Sequence, residues 1–427
     1  MRFLHFSNYK MSYRTAHVTT LALAVLLLFS LASLASAQTF SVLHAFSGPE
    51  GSNLYGGLTE DASGSLYGTT YGGGSGNGTV FRLRKQGNSW IVSTLHIFQG
   101  GADGGGPTGN LVFGPDGALY GTTQYGGTGP CVDGSLLGCG TVFQMTPGIS
   151  PCPTVSCPWH ETVIHNFADY PDGSSPISGV TFDRAGNIYG TTFEGGNLNN
   201  NCSFGCGTVY ELSPSSGGWT ETVLFRFSGD DGSYVAAGVV LDAAGNVYGT
   251  ADQGGPHVYG TVFELIHSSG GWQEQTLYAF QGAADGGSPF GGVTLDAAGD
   301  LYGSTFLGGT ADGGTVYKLI QANGHWTENV IWNAPANGGG PYDAPLMDSA
   351  GNLYLTTMGL GADYSGNIFK LSPSGGSWVY TDLHDLFAQS DGDGPWASPV
   401  MDAQGNLFGT TVGGGPHNGG TVWQIAP

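Results

Sequence analysis

The sequence predicts an all-β fold, a seven-bladed β-propeller of four-stranded antiparallel blades, on three observations. One short block recurs seven times. Each copy holds four strand-like runs parted by tight turns, and the incomplete copies at the two ends of the chain complement each other. The block reads "LYGTTYGG" at Leu66, "LYGTTQYGG" at Leu119, "IYGTTFEGG" at Ile188, "VYGTADQGG" at Val247, "LYGSTFLGG" at Leu301, "LYLTTMGLG" at Leu353 and "LFGTTVGGG" at Leu407. Its central aromatic residues lie 53, 69, 59, 54, 52 and 54 residues apart, and such a period marks a repeat architecture.

The copy spanning residues 238–280 shows the elements in order. "GVVLD" leads through the turn "AAGN" to "VYGT", then through a glycine loop to "TVFEL", and a Trp-led run "WQEQTLYAF" closes the unit. Four short runs separated by Gly, Asn and Asp turns are the pattern of a four-stranded antiparallel sheet. The first turn recurs at Asp61, Asp183, Asp242, Asp296, Asp348 and Asp402, and as "GPDGA" in the second copy. Asp there is expected to bond the backbone two residues on, and Gly to take φ > 0. The glycine loop "YGGGSGNG" after Thr70 is followed by "TVF", which reads as a strand, whereas a phosphate-binding loop needs a helix after its glycines. It is therefore expected to be a connector that binds no nucleotide.

The ends separate a closed ring from an open solenoid. The seventh copy stops at "GTVWQIAP" without a fourth strand, while "TFSVLHAF" at Thr39 matches a fourth strand with no first three before it. Pairing residues 39–46 beside 420–425 completes the last blade, which is how closed propellers fasten their termini.

Residues 1–37 are set apart from the fold. Arg2, Lys10 and Arg14 precede an apolar run from Leu21 to Leu34, and Ala35, Ser36 and Ala37 give a cleavage pattern, so a secretory signal peptide is expected, with Met11 an alternative start. Residues 38–427 are expected to be one propeller domain, with no membrane-spanning segment after cleavage. The formal charge is −22, and −25 without the leader's three basic residues. Only "FRLRK" at Phe81 clusters basic residues, so a nucleic-acid partner is excluded, because phosphate binding needs grouped Lys and Arg. Apolar residues nevertheless make up 40% of the chain and recur in register, which favours a packed fold over disorder. Six cysteines fall into close pairs, and in an exported chain three local disulfides are expected, Cys131–Cys139, Cys152–Cys157 and Cys202–Cys206; zinc is the alternative, but no His lies among them.

The motifs "GNxYGTT", the glycine loop, "GTVF", the Trp-led fourth strand and the "F…DG…P" loop cover nearly all of residues 39–427. In these the chain resembles the choice-of-anchor tandem repeat GloVer-containing proteins, a family of exported bacterial repeat proteins. The resemblance implies an exported protein and brings no established reaction with it. The family's name refers to variable C-terminal anchors, and this sequence ends two residues after its last strand, which favours a free secreted form.

Internal repeats also sort the candidate residues, since a type present in every copy is architectural and one present once is a better functional candidate. His44, His96, His165 and His384 share one fourth-strand position with Phe225, Tyr278 and Trp332, so that position is read as a packing slot and no metal site is assigned. The loop into each following blade carries Glu50, Asp103, Asp172, Asp231, Asp285 or Asp391, with Asn337 in the remaining copy. These side chains either cap tight turns or form a ring of carboxylates suited to calcium or a sugar. "DGDGPW", with Asp391, Asp393 and Trp396, departs from a calcium loop by placing Trp where that motif needs Gly. Trp396 is expected on the face where propeller ligands bind, with His257 and His417 of the two "GGPH" loops. No nucleophile motif such as GxSxG occurs. The function expected is that of a secreted, monomeric binding or structural module recognising a glycan or a surface protein, without a cofactor other than calcium. The alternative is a carbohydrate-active hydrolase or lyase using acidic residues of that face.

Overall fold

The computed structural model describes residues 38–131, 138–148, 159–198, 201–336, 339–361 and 363–427. They form seven four-stranded antiparallel sheets set as the blades of a ring, and no helix occurs among the described residues. Blade 1 runs outward through Thr59–Glu60, Leu66–Thr70, Thr79–Gln86 and Ser89–Ile97. Blades 2 to 6 repeat this order over 112–166, 181–226, 240–279, 294–333 and 346–385. Blade 7 combines Val400–Met401, Leu407–Thr410 and Thr421–Ala426 with Thr39–Ala45 as its outermost strand. The expected closure is therefore present. Phe46 N donates to Gly420 O at 2.9 Å and Asn53 N to Gly419 O at 2.9 Å, so the first and last described strands are tied at one blade.

Each letter of the repeated block has a physical task. Asp61 Oδ1 accepts the N–H groups of Ser63 and Ser65 at 2.8 and 2.9 Å, and its Oδ2 accepts the hydroxyl of Tyr67 at 3.0 Å. The turn acid and the block's tyrosine thus hold each other, as Asp348 and Tyr354 do at 3.1 Å in blade 6. The glycine that follows the tyrosine is required by a close approach: a Cβ on Gly68 would stand 2.6 Å from the Phe81 ring of the neighbouring strand. The first threonine reaches the next blade. Its hydroxyl donates to a backbone carbonyl there, as Thr69 to Gly109 (3.3 Å), Thr122 to Ser178 (2.6 Å), Thr191 to Ala237 (2.8 Å), Thr250 to Gly291 (2.9 Å), Ser304 to Asp343 (3.0 Å), Thr356 to Ala397 (3.4 Å) and Thr410 to Gly56 (2.9 Å). One latch therefore fastens every seam, including the one between blades 7 and 1. The second threonine binds the threonine that opens the third strand, Thr70 to Thr79 at 2.9 Å, which explains why "GTV" recurs.

The apolar core lies between blades. Phe46, Leu54, Leu66, Phe81, Phe408 and Val422 form one buried cluster across the seam of blades 7 and 1. The residue after each outermost strand plugs its seam, and Phe46, Phe98, Phe167, Phe227 and Phe280 are all fully buried. Blade 6 departs from the block because Leu355 stands where the other blades have glycine; opposite it Phe369 packs on Trp332 at 4.7 Å and Tyr380 at 5.3 Å, and the plug before it shrinks to Ala334. The glycine loop is a connector, with Gly73, Gly74, Gly76 and Gly78 at φ between 60° and 102° and the strand Thr79–Gln86 directly after it. Disulfides join Cys131 to Cys139 and Cys202 to Cys206, as expected, in the long loops of blades 2 and 3. Cys152, Cys157, Asn337 and residues 1–37 lie outside the described residues. No helix among the described residues is long and apolar enough to cross a membrane.

Candidate functional site

A cavity of about 630 Å³ lies where the seven blades meet. One position, six residues before each first-strand turn, contributes a side chain to its wall from every blade. In blade order the occupants are Tyr55, Thr108, Ile177, Ala236, Phe290, Tyr342 and Trp396. Blades 5, 6, 7 and 1 supply aromatic rings, and blades 2, 3 and 4 supply small or aliphatic groups. Since blades 7 and 1 adjoin, the four rings form one continuous arc. Tyr342 stacks on Trp396 at 4.8 Å and 21°, Trp396 meets the edge of Tyr55 at 4.9 Å, and Phe290 lies 5.2 Å from Tyr342. Tyr71 and Phe306, from the loops between second and third strands, extend the arc at 5.5 Å from Tyr55 and 4.5 Å from Tyr342. Asn110, Gln124 and Ser178 add polar groups to the opposite wall.

Two carboxylates flank the arc at positions where the other blades have none. Asp343 lines the cavity in a slot otherwise filled by Gly56, Gly109, Ser178, Ala237, Gly291 and Ala397. Burial raises its pKa, while the N–H groups of Ser398 at 3.0 Å and Ala344 at 2.7 Å oppose the rise by holding the charged form. Asp252 is 7% exposed, accepts a hydrogen bond from the Ser288 hydroxyl, and is likewise raised by burial. Burial and the nearby Asp252 push the Tyr342 hydroxyl up to about 12.

The acidic residues singled out from the sequence stand elsewhere, on the outer part of the ring. Each takes a backbone N–H at the start of its own turn: Glu50 from Ser47 (3.1 Å), Asp103 from Gln99 (2.9 Å), Asp172 from Ala168 (2.9 Å), Asp231 from Ser228 (2.8 Å), Asp285 from Gln281 (2.9 Å) and Asp391 from Phe387 (3.3 Å). Each of the six thus caps its own turn. The histidine slot packs, with His44, His96 and His165 edge-on to Phe46, Phe98 and Phe167, and also faces these acids. His44 meets Glu50 at 3.0 Å and His384 meets Asp391 at 2.9 Å. His257, His417 and Asp393 are exposed on the loop face and line no cavity among those described. Of the sequence candidates, Trp396 alone lines the central cavity.

Sequence inspection missed the partners of Trp396. Tyr55, Phe290 and Tyr342 occupy its slot in three other copies, so alignment of the seven inter-blade loops would have found them. A row of glutamates on the outermost strands was missed too. Glu161, Glu221, Glu274 and Glu328 follow Trp159, Trp219, Trp272 and Trp326 by two residues and face the turn acid of the preceding blade. Burial and Asp285 raise Glu328 from the ordinary 4.5 to about 7. Because the folded-state pKa is the higher, the stability that the protonated form contributes is complete below about 4.5 and is lost as pH rises through 7. Glu328 faces Asp285, whose other contacts are Tyr278 and the Gln281 N–H, and the buried Tyr317, and no cation among the described residues offsets its charge. Glu328→Gln should therefore melt like the wild type at pH 4 and higher than it at pH 8, and thermal melts followed by circular dichroism at the two values check this.

The profile of the Gloeobacter/Verrucomicrobia repeat matches the chain three times, over residues 27–150, 129–327 and 267–427. Among solved structures, one from Thermus thermophilus described as a putative oxidoreductase (glucose dehydrogenase) is 12% identical, with a TM-score of 0.44 over 91% of this chain and 99% of that one. No curated protein matches the chain. The three matches together span every blade, and the block, the turn acid and the latch hydroxyl of Thr or Ser recur across them. The chain belongs to the Gloeobacter/Verrucomicrobia repeat family.

Proposed function

We propose that the protein is a binding module that holds a neutral sugar ring of a glycan in its central cavity, against the aromatic arc. The observation that carries this reading is the single repeated position that is aromatic in four consecutive blades and small in the other three. A sevenfold scaffold needs no such break for its own packing, and a mostly apolar pocket with a few directed polar groups is the usual form of a small-ligand site. Rings on one wall suit the apolar face of a sugar, and Asn110, Gln124, Ser178 and Asp343 supply hydrogen-bonding groups around it. The charge of −22 opposes phosphate or sulfate esters as ligands. Two disulfides support an extracytoplasmic location. Glycoside cleavage would call for two carboxylates in the cavity wall; of the two that flank the arc, Asp343 alone lines the cavity among the described residues, while Asp252 accepts the Ser288 hydroxyl, which favours binding over hydrolysis.

Titration of the protein with a panel of neutral oligosaccharides, followed by calorimetry and tryptophan fluorescence, tests this. A binding sugar should lose about 30-fold in affinity with Trp396→Ala, the scale of an aromatic hot spot worth about 2 kcal/mol. Ala236→Trp should weaken the same sugar by narrowing the open wall. Binding that neither substitution alters would place the site elsewhere.

A further inference from the structure

The seam between blades 2 and 3 holds a cluster that turn capping does not explain. His165 and Asp172 come from blade 2 and its exit turn, and Glu221 from the outermost strand of blade 3. One ligand atom from each lies within 4.8 Å of the others. His165 Nε2, Asp172 Oδ1 and Glu221 Oε1 are shut off from solvent and have no hydrogen-bond partner. Asp172 uses its other oxygen, Oδ2, to accept the Ala168 N–H at 2.9 Å.

The remaining seams supply internal controls. Where blade 1 has Val92 in the glutamate slot, His44 closes on Glu50 at 3.0 Å. Where blade 7 has Phe40, that ring stacks on His384 at 3.7 Å, and His384 closes on Asp391 at 2.9 Å. With a glutamate present the pair opens. His165 stands 3.5 Å from Asp172, and His96 stands 3.4 Å from Asp103 beside Glu161. His96 Nε2 and Glu161 Oε1 are again buried without partners. The opened geometry and the orphaned atoms thus appear together, wherever His, Asp and Glu meet, and vanish when the glutamate is replaced.

We propose that His165, Asp172 and Glu221 form a binding site for a divalent transition-metal ion of the Zn²⁺ or Mn²⁺ type, which clamps blade 2 to blade 3. One imidazole nitrogen and two carboxylate oxygens make a ligand set suited to such borderline ions. Burial and the neighbouring Asp172 raise the pKa of Glu221, so that a divalent cation would take the place of the proton held between the two carboxyl groups and neutralise both of them. Arg226, whose Nε donates to Pro171 O, lies near enough to Glu221 to temper that charge without occupying the gap. Tetrahedral ligand atoms around Zn²⁺ lie about 3.4 Å apart, so the three side chains need to draw together only modestly.

The test uses the intact protein, stripped with chelator and titrated with Zn²⁺ by calorimetry at pH 7.5, in a His257→Ala, His417→Ala background that removes two exposed histidines. Saturable micromolar or tighter binding is expected, with a melting temperature that climbs as free Zn²⁺ rises. His165→Phe should fold, since Phe225 fills the same slot one blade later, and should lose one equivalent of Zn²⁺. Glu221→Gln should weaken that equivalent at least tenfold, whereas His44→Phe should leave the stoichiometry unchanged. Absence of saturable binding, or full stoichiometry in both His165→Phe and Glu221→Gln, would overturn the proposal and leave a shared proton or water in the gap.

Discussion

A protein lacking residues 39–46 should fail to fold to a soluble monomer. The deletion strips blade 7 of its outermost strand and exposes the edge of Thr421–Ala426, whose free N–H and C=O groups template association with other chains. It also removes Phe46, which is fully buried against Phe81 at 4.8 Å. Truncating such a phenylalanine costs about 3–5 kcal/mol. That is a large part of the roughly 5–15 kcal/mol by which folded proteins outweigh their unfolded chains. Phe46→Ala should therefore lower the urea midpoint strongly while the deletion gives aggregate on size exclusion. A deletion protein that elutes as a monomer and melts with the wild type would show that the ring is not closed by this strand.

Gly121→Leu should be strongly destabilising. Its Cβ would sit 2.7 Å from the tip of the Phe143 ring and 2.8 Å from Leu111 Cδ2. Phe143 is itself wedged against the plug Phe98 at 5.2 Å, so it has nowhere to move. Overpacking of this kind costs about 1–3 kcal/mol or more. Blade 6 shows what the change requires. Leu355 is tolerated there because the plug is Ala334 and Phe369 lies over Trp332 and Tyr380. The combination Gly121→Leu with Phe98→Ala should recover part of the loss, and urea unfolding of the single and double variants measures the coupling. Additive losses would mean that the two positions do not share space.

The architecture was legible because its signals are local and repeated. Asp61, Gly68 and Thr79 act within their own blade, so their recurrence in sequence is recurrence in space. The orphan strand at Thr39 gave away closure for a similar reason, since a missing fourth strand has only one place to go. The cavity was half legible. Trp396 drew attention as a lone aromatic, yet its function depends on Tyr342, a neighbour 54 residues earlier, and on Tyr55 at the far end of the chain. The seam glutamates were harder still. A "WxE" pattern looks like ordinary alternation on an outer strand, and only the packing of one blade on the next brings Glu221 to Asp172. The acids of the turns were legible as turn caps, and in each case a backbone N–H at the turn's start donates to the carboxylate.

The uniform hydroxyl latch, threonine in six blades and Ser304 in the fifth, carries a hazard of its own. Seven copies of one bond cannot tell a growing chain which blade should stand beside which, and similar neighbouring repeats are prone to pair wrongly or to swap between chains. The outer rim supplies the missing addresses. Four successive seams present a glutamate, the next two present Tyr380 and Phe40, and the last presents Val92. A ring assembled one blade out of step would set Glu161 on His44 beside Glu50, and Phe40 on Trp332 in place of His384. Errors are thus penalised at the periphery as well as by the aromatic contacts of the hub, while the latch itself stays indifferent to blade order.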